Sequence, residues 1–200
     1  MTEVYLAVLP KCEPRAQISC AERQKEIDGI SNEKTRREKY YVWRLLEYAI
    51  KNSLGADASR LYFTKGKNRR WSCEGIDFSL SHSHSALAVA VSEGQAVGVD
   101  VELIRIRDIC RMADYMLTQA ERKGYEALDE ACREEWLICR WCEKEAIFKS
   151  WNESVFPPKK IETSELFCSS VTIDIDGEKY ALAVAAKNRD EIRFFKDIKL

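Results

Sequence analysis

An α+β fold is the class that three observations in this 200-residue chain predict. Short runs with strand-like apolar alternation are interleaved with two long stretches of helical period. The order strand, helix, strand pair occurs twice. The string Ala86-Leu87-Ala88-Val89-Ala90 also recurs as Ala181-Leu182-Ala183-Val184-Ala185. Together these predict two related halves, 1–93 and 94–200, joined near Ser92–Gln95 and packed as one unit. A site between such halves has the strand around Asp100 at its seam.

The elements follow in order. Val4–Leu9 reads as a strand. Lys34–Asn52 reads as a long helix, with Val42, Leu45, Leu46 and Ala49 as its apolar stripe and Gly55 as its stop signal. Arg60–Thr64 reads as a short strand, and Lys65-Gly66-Lys67-Asn68 as a turn. Phe78–Ser81 and Ala86–Ser92 read as strands, and Glu93-Gly94 turns the chain into the Asp100 strand. Met112–Leu128 is amphipathic, and Thr118-x-x-Glu121 inside it is a capping-box signature. A second long helix covers about Glu134–Trp151 and is broken off by Pro157-Pro158. Val171–Ile175 and Lys179–Ala186 flank Asp176-Gly177, a hairpin signal.

Composition narrows the function classes. Hydrophobic residues make up 46% and charged residues 32%, which fits a globular chain and not a disordered one. A net charge of −1 gives no case for nucleic acid as a partner. The basic residues are clustered: Arg23, Lys25, Lys34, Arg36, Arg37 and Lys39 early, then Lys65, Lys67, Arg69 and Arg70. Such clusters in a neutral total fit a phosphorylated small molecule, or else solvated helix faces. No secretory signal or long apolar run is present, so no membrane is expected. The eight cysteines lack framework spacing and read as reduced thiols in a cytoplasmic protein. Cys139-x-x-Cys142 is a redox or zinc pair by spacing alone, but it lies in a helical pattern, where core packing accounts for it.

Three runs carry chemistry. In Val97-Gly98-Val99-Asp100-Val101-Glu102 the valines share one strand face and the two carboxylates share the other. Like charges so placed call for a cation between them, and hard oxygen ligands suit Mg²⁺; the bland alternative is the solvated face of an edge strand. Trp141–Lys149 reads as helix, with Glu145 and Lys149 one turn apart. Phe78-Ser79-Leu80-Ser81-His82-Ser83-His84-Ser85 ends a strand in hydroxyl donors and imidazoles, which suit a phosphate. His82 and His84 on one strand face could also be read as zinc ligands, but no partner thiol stands at motif spacing.

These runs resemble the signature of the 4′-phosphopantetheinyl transferases, in particular the monomeric surfactin-synthetase-type branch. That signature reads about Leu-Ser-His-Ser, then Gly-(Ile/Val)-Asp-(Ile/Val)-Glu, then Trp-x-x-Lys-Glu-(Ala/Ser)-x-x-Lys. Here it is Leu80–Ser83, Gly98–Glu102 and Trp141–Lys149, in the same order. The resemblance implies two halves related by a pseudo-twofold axis, with the active site at the seam of one monomeric chain. It implies transfer of 4′-phosphopantetheine from coenzyme A to a serine of an apo acyl, peptidyl or polyketide carrier protein, releasing 3′,5′-ADP. By similarity Asp100, Glu102 and Glu145 hold Mg²⁺. Glu145 helps deprotonate the serine, and Lys149 neutralises charge on the phosphates. The resemblance puts His82, Ser81, Lys67, Arg37 and Lys144 on the coenzyme A side, and the Met112–Leu128 segment against the carrier.

Two departures from the pattern stand out. His84 occupies a position that is often glycine in the family, and Trp43-Arg44 replaces an Arg-Thr pair. A catalytically silent coenzyme A or carrier-binding module is the competing reading, and a Mg²⁺-dependent phosphohydrolase on an unrelated fold a third. The acidic triad argues against the first, and the lack of a further nucleophile cluster against the second.

Overall fold

The computed structural model describes residues 1–66, 70–151, 153–163, 168–187 and 192–200. Its first strand, β1 (Thr2–Val8), is followed by helices α1 (Ala21–Asp28) and α2 (Glu33–Leu54). Strands β2 (Phe63–Lys65), β3 (Trp71–Cys73), β4 (Ile76–Ser83), β5 (Ala86–Glu93) and β6 (Val97–Leu103) follow. Then come α3 (Ile109–Met116), α4 (Gln119–Glu126), α5 (Glu130–Trp151), β7 (Cys168–Ile175), β8 (Glu178–Ala186) and β9 (Ile192–Ile198). This is a mixed α+β architecture, as expected.

The strands form two sheets, ordered β2-β3-β4-β5-β1-β9 and β6-β8-β7. Within them β1-β5-β4 and β6-β8-β7 have the same connection, each a strand, a long helix and an antiparallel hairpin whose second strand lies in the middle. The repeated Ala-Leu-Ala-Val-Ala string falls on those two central strands, β5 and β8. The turn at Glu93 and Gly94 leads from β5 toward β6, and β9 crosses back to pair in parallel with β1.

Side-chain alternation builds four layers: α2, the larger sheet, the smaller sheet, α5. Tyr5, Leu87, Val89 and Phe78 face α2, packing with Trp43, Leu45, Leu46 and Ile50. Val4, Leu6, Ala86, Ala88 and Ala90 face the other way, onto Val97, Val99, Val101, Leu182 and Val184 of the smaller sheet. Ala181, Ala183 and Ala185 turn to α5, against Cys142, Ala146 and Ile147. Small residues on this last face let the helix lie close to the sheet.

The boundaries have local causes. Asn32 caps α2 by accepting from the Thr35 amide, and Gly55 ends it at φ +62°, a conformation that glycine adopts without a Cβ clash. Asp176 and Gly177 both have positive φ, 53° and 76°, as the two-residue hairpin between β7 and β8 requires. Other expectations need correction. Arg60–Thr64 is not one strand: Ala58–Arg60 is a 3-10 turn, whose Asp57 cap competes with extended structure, and β2 begins only at Phe63. The amphipathic Met112–Leu128 segment is broken in two: Leu117 leaves helical geometry, and Thr118 starts a second helix with the capping box expected there. α1, β3 and β9 carried no clear sequence signal.

Gly98 fixes how α5 sits. A Cβ there would lie 1.8 Å from the Ala146 carbonyl oxygen and 2.9 Å from the Ser150 amide nitrogen. Both are backbone atoms, which no rotamer change can move. We predict that Gly98→Ala destabilises the chain by about 3 kcal/mol, the upper end of overpacking costs. Thermal denaturation checks this, and a melting temperature equal to wild type contradicts the close packing.

Candidate active site

The site is assembled where β4, β6 and the C-terminal half of α5 meet. β6 is an edge strand of the smaller sheet, so one row of its amides has no strand partner. The β4 side chains supply the acceptors. Val97 N donates to Asp77 Oδ2 at 3.3 Å, Val99 N to Ser79 Oγ at 3.0 Å, Val101 N to Ser81 Oγ at 3.3 Å and Leu103 N to Ser83 Oγ at 3.1 Å. Buried amides left unpaired are costly, so this alternation of Asp and Ser along β4 holds the sheets in register.

The ladder delivers Asp100 and Glu102 beside α5. Ser81 Oγ donates to Asp100 Oδ1 at 2.7 Å, and Ser83 Oγ to Glu102 Oε2 at 2.7 Å. From α5, Lys149 Nζ donates to Asp100 Oδ1 at 2.6 Å and to Ser81 Oγ at 3.3 Å. The cation that the paired carboxylates called for is, at Asp100, the Lys149 ammonium. Arg70 fastens this end of α5, donating to the Lys149 carbonyl oxygen and pairing with Asp77 at 2.7 Å.

Electrostatics follow from burial. Asp100 is 2% exposed. Burial, and then the neighbouring Asp100 charge, push the Glu102 carboxyl up to about 7. Burial also raises Glu145, although Lys149 pulls it back. Lys149 itself would be lowered by burial, but Asp100 and Glu145 outweigh that and hold it above its ordinary value, so it stays cationic.

The residues fit a hard cation by one observation in particular. Asp100 Oδ2 is buried and accepts no N–H or O–H hydrogen bond, the Cys142 thiol being the remaining polar group beside Asp100. Among the described residues no three His, Cys, Asp or Glu side chains form a ready-made cage. Mg²⁺ does not require one, since it is commonly held by one or two carboxylates together with substrate phosphates.

The other candidates divide. His82 lies on the α2 side of β4, its Nδ1 3.8 Å from Glu38 Oε2, and burial lowers its pKa, with Glu38 opposing. A neutral imidazole is therefore the form to expect at neutral pH. Nearby, Arg23 of α1 is buried, its guanidinium 5.4 Å from the centre of the Trp43 ring and its Nε unpartnered. Sequence reasoning noted Arg23 only as part of a cluster, because nothing local marks a helical arginine as buried. Arg37, one residue from Glu38, turns instead to the Lys11 carbonyl at 3.5 Å. Trp43 is wholly in the core, and Arg44 pairs with Glu47. Lys67 lies outside the described residues.

Lys144 needs correction as a coenzyme A ligand. It is 0% exposed, and its ammonium donates to Glu121 Oε2 at 2.8 Å, Pro158 O at 2.8 Å and Ile161 O at 2.9 Å. All three protons are engaged, so Lys144 ties α4 and the loop after α5 to α5. His84 is also misread as a strand residue sharing a face with His82. It sits in the β4–β5 turn at φ +53°, 3.4 Å from Glu178, which is the conformation that glycine takes most easily. The two histidines thus contact different carboxylates and are no zinc pair. All eight cysteines are free thiols, and Cys142 is buried against the Ala181 carbonyl.

Residues 96–193 match the model of the 4′-phosphopantetheinyl transferase superfamily. The matched segment begins just before β6 and contains Asp100, Glu102, Glu145 and Lys149. The similarity to this superfamily is confined to that segment. The β4 run with Ser81 and His82 lies outside the match. No curated protein matches the chain significantly. No helix among the described residues is long and apolar enough to cross a membrane.

The raised Glu102 pKa predicts a pH dependence. A carboxyl whose folded pKa, about 7, exceeds its ordinary 4.5 favours the fold while protonated. That contribution is complete below 4.5 and is lost as pH rises through about 7. In chelator, Glu102→Gln should therefore raise the melting temperature at pH 8 relative to wild type and reduce the drop between pH 5 and pH 8. An unchanged drop would mean that Glu102 is ionised throughout.

Proposed function

We propose that this chain transfers the 4′-phosphopantetheine group from coenzyme A to a serine hydroxyl of an apo carrier protein and releases 3′,5′-ADP. The observation that supports this best is the meeting of three separate sequence runs at one point: the Ser81 hydroxyl and the Lys149 ammonium both bond Asp100, at 2.7 and 2.6 Å. The superfamily match over the carboxylate and lysine runs supports the same chemistry.

In this reading Asp100, Glu102 and Glu145 would hold Mg²⁺ beside the pyrophosphate of coenzyme A. When bound, the ion neutralises phosphate charge. The chain's own groups do the rest. Glu145, made more basic by its partly buried place, accepts the serine proton. The serine oxygen forms a bond to the β-phosphorus while the bond from that phosphorus to the bridging oxygen breaks, and the electron pair leaves with 3′,5′-ADP. Lys149, held cationic by its carboxylate neighbours, lies where negative charge develops. His82 donates to a phosphate as a neutral imidazole. That Ser81, Asp100 and Lys149 meet within one chain supports a monomer.

Two predictions follow from this reading. Mass spectrometry of an apo carrier protein incubated with coenzyme A should show the phosphopantetheine adduct with Mg²⁺ and none with chelator; equal modification in both sinks the metal role. Glu145→Gln should lower the turnover of a folded protein by roughly 10²–10⁴-fold, the usual contribution of a general base. Phosphate release without transfer would favour a hydrolase, and binding without transfer a silent module.

A further inference from the structure

The β4 hydroxyls do more than close a sheet edge. A serine hydroxyl has one proton and two lone pairs. At Ser81 both lone pairs are taken, by the Val101 amide at 3.3 Å and the Lys149 ammonium at 3.3 Å, so the proton can only point outward, to Asp100 Oδ1. At Ser83 the Leu103 amide donates to the oxygen at 3.1 Å, and the proton goes to Glu102 Oε2. Each hydroxyl therefore relays from the amide that follows an acidic residue to that residue's own carboxylate. Ser79 takes the Val99 amide in the same way, but the residue before Val99 is Gly98, and no carboxylate is there to orient.

We propose that Ser81 and Ser83 are positioning residues: by donating to one oxygen of Asp100 and of Glu102, they fix each carboxylate so that its other oxygen is presented to the cation. The proposal rests on the transferase reading above. At Asp100, Oδ1 takes both the Ser81 and the Lys149 bonds, which leaves Oδ2 free of both. Loss of a hydrogen-bond partner behind a metal ligand typically costs roughly 10–100-fold in affinity.

Ser79 makes the test discriminating, because it is a rung of the same ladder without a carboxylate. Mn²⁺, which shares the oxygen preference of Mg²⁺, is titrated into the protein saturated with coenzyme A and followed by calorimetry, with thermal melts in parallel. Ser83→Ala should weaken Mn²⁺ binding about tenfold, the lower end of losses for such partners. Ser83→Thr keeps the hydroxyl and should restore affinity. Ser79→Ala should lower the melting temperature and leave Mn²⁺ affinity unchanged. In a Glu102→Gln background, Ser83→Ala should cost no further affinity. Wild-type affinity in a folded Ser83→Ala protein, or equal weakening by Ser79→Ala, overturns the proposal, because the hydroxyls would then serve only the seam. Failure of the wild-type protein itself to take up Mn²⁺ with coenzyme A overturns the transferase reading as well, and is told apart by that control.

Discussion

The free amide edge of β6 is the constraint on which the rest depends. A three-stranded sheet leaves one side of β6 without backbone partners, and the packing of the smaller sheet on the larger one buries that side. The amides of Val97, Val99, Val101 and Leu103 must find acceptors there or destabilise the fold by the full cost of desolvation. Asp77, Ser79, Ser81 and Ser83 provide them from the face of β4. Side-chain acceptors at a period of two do what a neighbouring strand would otherwise do. They also lock the register, because a one-residue slip would set the apolar side chains of Phe78, Leu80 and His82's imidazole against the amides.

The same constraint places the chemistry. Once β6 is in register, its alternation sends the valines into the sheet–sheet core and Asp100 and Glu102 toward α5. Gly98 lets the α5 backbone come down onto the strand, which brings Lys149 within 2.6 Å of Asp100. Packing this close removes water, and the carboxyls respond: Glu102 rises to about 7 through burial and its acidic neighbour. Such a group is unfavourable for the isolated fold and useful for holding a cation or a proton, so stability and function pull in opposite directions at this point. Lys144, only one residue before Glu145, has the opposite fate. A helix turns by about 100° per residue, so neighbours in sequence need not share a face, and Lys144 is directed into the α4 side, where Glu121 and two carbonyls enclose it.

Much of this was legible in the sequence, where local chemistry decides. The two long helices, the Asp176-Gly177 hairpin, the Thr118 capping box and the alternation that pairs Asp100 with Glu102 all arise from interactions spanning a few residues, and each formed as read. Some readings failed on local turns and caps, others on distant parts of the chain. His84 looks like strand until the turn forces φ +53°. Lys144 looks like a ligand until α4 closes over it. The return of β9 to β1 has no local signature at all, since a parallel edge strand needs only a partner that the far end of the chain provides.

By itself the sequence determined the α+β class, the doubled strand–helix–hairpin order, and which residue types could meet a phosphate or a hard cation. Those are properties of period, turn chemistry and functional groups, which are written locally. Only the tertiary structure decided that the serines of β4 act as a substitute strand and as donors to the carboxylates, that Lys149 and not Lys144 reaches Asp100, and that Arg23 is buried near His82. These choices rest on which buried groups find partners across the seam. A hydrogen bond between residues 19 or 49 positions apart, as for Ser81 and Lys149 with Asp100, exists only after packing has excluded water and fixed the distance.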